Sequence, residues 1–201
     1  MSLTAIGINC TLKSSPASSS CDKLLDVVES ELRRLDIACE RVRAVDHAIA
    51  PGVTSDEGPG DAWPELRRRV LAADIVILGT PIWLGHPSSV CQRVLERMDA
   101  FLGELDDGGR MAPYGRVAGV VVVGNEDGAH HVSAELFQAL NDVGFTLPAS
   151  AVTYWVGEAM HKTDFQDLPA TPEKTAQAAR ELALNCAHLA RLLHASPYPP
   201  R

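Results

Sequence analysis

The chain has 201 residues, 46% of them hydrophobic, and a formal net charge of −8; one domain with a sizeable core fits these numbers, and nucleic acid, whose phosphates need a basic surface, does not. Five widely spaced cysteines without a CxxC pair signal neither a zinc site nor an iron–sulfur cluster and read as reduced thiols. With no secretory leader and no apolar run near the ~20 residues of a membrane helix, a cytoplasmic protein is expected.

Leu3 to Asn9 reads as a short buried strand, and "NCTLKSSPASSS" (Asn9 to Ser20) as a long loop after it. Leu24, Leu25, Val28, Leu32 and Leu35 recur at helical spacing, so a helix capped by Ser20 or Asp22 is expected to run to Leu35. Ile37 to Asp46 alternates like an edge strand, residues 47–61 form a Gly- and Pro-rich surface loop, and Trp63 to Ala73 is a helix with Pro64 in its first turn. Asp74 to Thr80 is a β-branched run without polar alternation, which predicts a strand buried on both faces. A loop "PIWLGHPSS" follows, then a helix starting at Ser88 or Ser89, a second buried strand over Arg116 to Gly124, a loop "NEDGAHH" and a helix from Val132 to Gly144. Ala149 to Val156 makes a fifth strand, and a long helix capped by Thr171 with Pro172 at its first position closes the chain. Strands alternating with helices predict a parallel sheet covered on both faces. Residues 1–195 form one domain in this reading, and 196–201 a frayed tail.

In open parallel sheets ligands bind beyond the carboxyl ends of the strands, which directs attention to three loops. In the first, Thr11, Ser14, Ser15, Ser18, Ser19 and Ser20 offer hydroxyls, Lys13 a charge and Pro16 a restricted turn, at the start of a helix. A phosphate matches this best; a solvated serine loop is the plainer reading. GxGxxG and the P-loop motif are both absent. In the second, Trp83 either lies against a flat ring or caps the core, and Gly85 permits close backbone approach. In the third, Gly124 and Gly128 again suit close approach, and Asn125 can hydrogen-bond a heterocycle. His130 and His131 stand beside Glu126 and Asp127, but adjacent histidines point apart and no ligand spacing supports a metal there, so none is expected.

Together the serine-rich loop after strand one, the T-P-x-[WY]-x-G loop after strand three and the G-x-x-x-G loop after strand four resemble the flavodoxin-like NAD(P)H-dependent FMN reductase and quinone oxidoreductase family. The resemblance covers nearly the whole chain. It implies a three-layer sandwich with a five-stranded parallel sheet in order 2-1-3-4-5 and non-covalent FMN. By position, the phosphate would meet Thr11, Lys13, Ser18, Ser19 and Ser20. The ring would meet Pro81, Ile82, Trp83, Leu84 and Gly85, then Gly124, Asn125, Glu126 and Gly128. Many members open this loop with G-S-x-R; here it is "NCTLKSS", with Lys13 its only cation.

The expected activity is an FMN-dependent oxidoreductase: hydride from NAD(P)H to the flavin N5, then reduction of a quinone, flavin, azo- or nitro-aromatic in ping-pong order. No general acid or base is required; His130 is the one candidate rim residue. The alternative is a flavodoxin-type electron carrier. A homodimer or homotetramer is implied by the resemblance, and "YWVGEAMHKTDF" (Tyr154 to Phe165), read as an exposed apolar loop, would suit an interface.

Overall fold

A computed structural model describes residues 2–159 and 161–200. Five parallel strands lie in one sheet: β1 (Thr4–Asn9), β2 (Ala38–Arg43), β3 (Ile75–Trp83), β5 (Val117–Gly124) and β6 (Val152–Val156), in spatial order β2-β1-β3-β5-β6. A two-residue arm, β4 (His86–Pro87), pairs antiparallel with the end of β3. Without that arm the order is the expected one, and the fold is flavodoxin-like.

Successive residues of the central strands point to opposite faces, and this alternation separates two cores. Val76, Leu78, Ala118, Val120 and Val122 pack with α2 (Trp63–Ala72), α3 (Ser89–Met98) and α4 (Ala129–Asp142). Ile75, Ile77, Val117, Val121 and Val123 pack with α1 (Ser20–Arg33) and α5 (Glu173–Ala195). On that second face Gly79 and Gly119 hold space for the helices. A Cβ there would sit 2.8 Å from Cys21 Sγ and 2.6 Å from Leu182 Cδ1, respectively.

Several boundaries move, each for a local reason. Ser19, not Ser20 or Asp22, caps α1, its Oγ accepting from Asp22 N–H. α5 starts one residue later than expected: Pro172, not Thr171, is its N-cap, and Glu173 is its first residue. β3 runs on through Pro81 to Trp83 because Thr80 and Pro81 still pair with Val122 and Val123. α4 begins at Ala129, so His130 and His131 occupy its first turn. Tyr154 and Trp155 are strand residues of β6, not loop, and Phe165 is fully buried against Trp155; Met160 lies outside the described residues. Of that segment's aromatic residues, Tyr154 is the one left exposed. In the C-terminal tail, Arg110 Nη1 donates to Tyr198 O at 2.8 Å, and the Tyr198 hydroxyl lies 3.0 Å from Thr146 Oγ1.

The loop of residues 47–61 is stapled down. Arg97 on α3 and Asp61 are both buried and paired at 2.7 Å, and Arg97 also donates to Ala50 O and Thr54 O. Burial pushes the Asp61 carboxyl up in pKa, but the Arg97 guanidinium and the N–H groups of Glu57, Trp63 and Ala50 outweigh it and hold the group well below the usual carboxylate range. No helix among the described residues is long and apolar enough to cross a membrane.

Candidate functional site

A cavity of about 490 Å³ opens at the carboxyl ends of β1, β3 and β5. Its polar end is the β1–α1 loop. Asn9 Oδ1 accepts from Thr11 N–H at 2.8 Å, and Asn9 Nδ2 donates to Asp22 at 2.5 Å, so the loop leaves the strand in a fixed direction. Ser15 is tied through its N–H and hydroxyl to Asp46, whose carboxyl those two bonds hold below its usual range. Arg43 reaches under the loop, donating to Lys13 O and Ala17 O and pairing with Asp22. The start of α1 faces this end. Asp22 and Lys23 N–H are satisfied by Ser19, whereas those of Ser20 and Cys21 meet no protein acceptor among the described residues. Free helix-start N–H groups with the positive dipole end suit an anion.

The opposite end is apolar: Ile82, Trp83 and Leu84 from the hairpin, Val123 and Gly124 from β5 and Trp155 from β6; Phe165 joins the two ends, its ring contacting both Lys23 of α1 and Trp155. Trp155 and Phe165 lie with ring centroids 5.5 Å apart. Trp155 fits because Gly157 has no side chain: a Cβ there would stand 2.5 Å from the indole and 2.7 Å from Asn125 Oδ1. Asn125 Nδ2 donates to Asp164 at 2.8 Å, which fixes the amide, and its buried Oδ1 has no partner.

Of the site residues named from the sequence, Thr11, Lys13, Ser19, Ser20, Pro81, Ile82, Trp83, Leu84, Gly124, Asn125 and Glu126 line this cavity. Ser18, Gly85 and Gly128 do not. Ser18 is exposed. Gly85 and Gly128 serve each other: a Cβ on Gly128, at φ +128°, would stand 2.9 Å from Gly85 Cα, so the two glycines let the second and third loops touch. The N–H groups of Leu84 and Gly85 are donated to the Glu126 carboxylate at 3.1 and 3.2 Å. His130 also lies off the cavity. Placed by the first turn of α4, its Nε2 sits 3.2 Å from the Tyr154 hydroxyl, and the histidine that does line the cavity is His161. His130 and His131 diverge, the first to the Tyr154 hydroxyl and the second to the Glu135 carboxylate.

Sequence reasoning missed Arg43, Trp155, His161, Asp164 and Phe165. Trp155 was legible as a strand residue, and its place at the carboxyl end of an edge strand was the available signal. Arg43 carried none, because the contact depends on β2 lying beside β1.

The NADPH-dependent FMN reductase family model matches residues 5–161. The chain belongs to this family. It is also 39% identical, over 96% of its length, to the divalent metal cation transporter MntH of Mycobacterium bovis, but spans only 29% of that relative. It is 32% identical to the 8-demethyl-8-aminoriboflavin-5′-phosphate synthase of Streptomyces davaonensis, covering 98% of this chain and 81% of the synthase. A crystal structure of RosB with bound 8-demethyl-8-formylriboflavin-5′-phosphate superposes with a TM-score of 0.89 at 32% identity, over 98% of this chain and 82% of that one. The family assignment makes FMN the cofactor and NAD(P)H the family's donor. The cavity fits FMN chemically: free N–H groups and the Lys13 cation at one end, aromatic walls at the other, and an unpaired buried amide oxygen suited to a ring N–H.

Proposed function

We propose that this flavoprotein is an FMN-dependent oxidoreductase that turns over NAD(P)H and a small acceptor such as a quinone, a free flavin or an azo- or nitro-aromatic, alternately in one site. The observation that supports it is the two-ended cavity, with an anion-suited helix start facing an aromatic end that stays open to solvent, Trp83 being 53% exposed. Bound FMN supplies the redox chemistry, accepting a hydride and passing electrons on. The chain's residues bind and orient it. Ser19, Ser20, Thr11 and Lys13 take the phosphate, with Arg43 bracing their loop from below, while Ile82, Trp83, Trp155 and Asn125 hold the ring. Ser18, Gly85 and Gly128 support these loops without touching the ligand, and His130 has no part in catalysis. Residues 1–195 act as one domain, and a homo-oligomer is part of the proposal. The apolar side chains exposed at the cavity mouth, Trp83 and the 90% exposed Leu84, support a neighbouring subunit completing the pocket. Sedimentation at micromolar concentration checks this, and a lone monomer removes it.

One relative favours a second reading. Similarity to a synthase that makes a modified riboflavin phosphate supports a flavin 5′-phosphate as reactant rather than resident cofactor. The deciding experiment mixes the FMN-loaded protein anaerobically with NADPH and NADH in turn. Rapid bleaching of the flavin is expected. Flavin that stays yellow with both nucleotides overturns the reductase reading in favour of a carrier or of flavin modification, and mass analysis of the recovered flavin separates those two.

A further inference from the structure

Away from the flavin cavity, α3 and α4 enclose a groove of about 1120 Å³. Glu96, Asp99 and Asp142 stand on its walls and no lysine or arginine lines it, so its field favours cations. At its mouth three ligand-type side chains converge from two elements. His131 and Glu135 are one turn apart on the same face of α4, and His86 comes from the β4 arm. His131 Nε2 and His86 Nδ1 lie 2.9 and 3.1 Å from the same oxygen, Glu135 Oε1, and all three ligand atoms lie within 4.8 Å of one another.

We propose that His86, His131 and Glu135 form a divalent metal site, taking zinc or a cation of similar preference, separate from the flavin cavity. The spacing is the first argument. Bonds of about 2.0–2.1 Å in a tetrahedral zinc site put neighbouring ligand atoms roughly 3.3 Å apart, so both contacts to Oε1 need to open by only a few tenths of an ångström. The donor set is the second: two imidazoles and a carboxylate are borderline ligands that suit zinc, cobalt and nickel rather than magnesium or calcium. The third is access. His86 and His131 are 63% and 57% exposed, which leaves a fourth position to water or a small anion from the groove. A bound ion would also tie β4 to α4. Because His86 pairs directly with Trp83 in the hairpin, the clip would stiffen a wall of the flavin cavity from outside.

The test titrates tag-free protein with Zn²⁺ by calorimetry and with Co²⁺ by visible absorbance. One ion per chain is expected, with a cobalt ligand-field band of a low-coordinate site. His86→Ala, His131→Ala and Glu135→Gln should each weaken binding by at least ~10-fold, the lower bound seen even for outer-shell partners. His188→Ala, which removes an exposed histidine on α5, should leave binding unchanged. Zn²⁺ should raise the melting temperature of the intact protein and not of His131→Ala. Failure of the intact protein to bind either ion, or equal affinity in His131→Ala, overturns the proposal.

Discussion

Gly157 and the five cysteines are where single residues can be tested most directly. Gly157→Ala puts a methyl group where the Trp155 ring and Asn125 Oδ1 now stand, at 2.5 and 2.7 Å. Both are cavity walls, so FMN affinity should fall roughly tenfold, about 1.4 kcal/mol, while the melting temperature changes little. A fluorescence titration of FMN checks this. Cys10, Cys21, Cys91 and Cys186 are buried, and burial raises the Cys186 thiol to about 12 and Cys10 and Cys21 well above their ordinary value. Thiolates react, not thiols. A thiol reagent at pH 8 should therefore label the native chain only at the half-buried Cys39, and slowly, because burial and Glu29 raise that thiol too. All five should react once the protein is unfolded.

Among the elements, the β3–β4 hairpin shows how a strand signal can hide behind breakers. Pro81 and Gly85 read as loop residues, yet Pro81 stays in register with Val123, and a two-residue turn closes the hairpin. Both turn residues have positive φ, Leu84 at 52° and Gly85 at 77°, as a type I′ turn requires. Leucine there carries roughly 1–2 kcal/mol of left-handed strain. Leu84→Asn creates the favoured Asn-Gly pair and loses no burial, so stability should rise by about 0.5–1 kcal/mol in a urea melt. By contrast, the β-branched stretches before Pro81 in β3 and along Val117–Gly124 were legible because such runs need two covering layers whatever surrounds them. The loops of the site were legible in the same way, from hydroxyls and glycines at strand ends. What stayed hidden depended on lateral order: Arg43 under the first loop, His86 against α4, and Asp164 against Asn125 join residues that only the folded sheet makes neighbours.

At the scale of the whole molecule, the Arg97–Asp61 pair fastens the 47–61 segment to α3 and ties part of the fold's stability to pH. Its carboxyl is depressed in the fold and ordinary when unfolded. Its stabilisation is thus complete above the unfolded value near ~3.9 and disappears as pH falls through the lower folded value. Arg97→Met strands a buried carboxylate and should cost about 3–5 kcal/mol at pH 7. Arg97→Met with Asp61→Asn should recover much of that, and its urea midpoint should decline less than the wild type's between pH 5 and pH 2.

The outer strand β2 pairs only with β1, leaving one flank of the sheet with unshared main-chain groups. Its Glu40, Arg41 and Arg43 are engaged by Arg69, Asp26, Glu29 and Asp22. These charges act as gatekeepers. A chain laid along that flank would have to disrupt several ion pairs, which disfavours lengthening the sheet from β2.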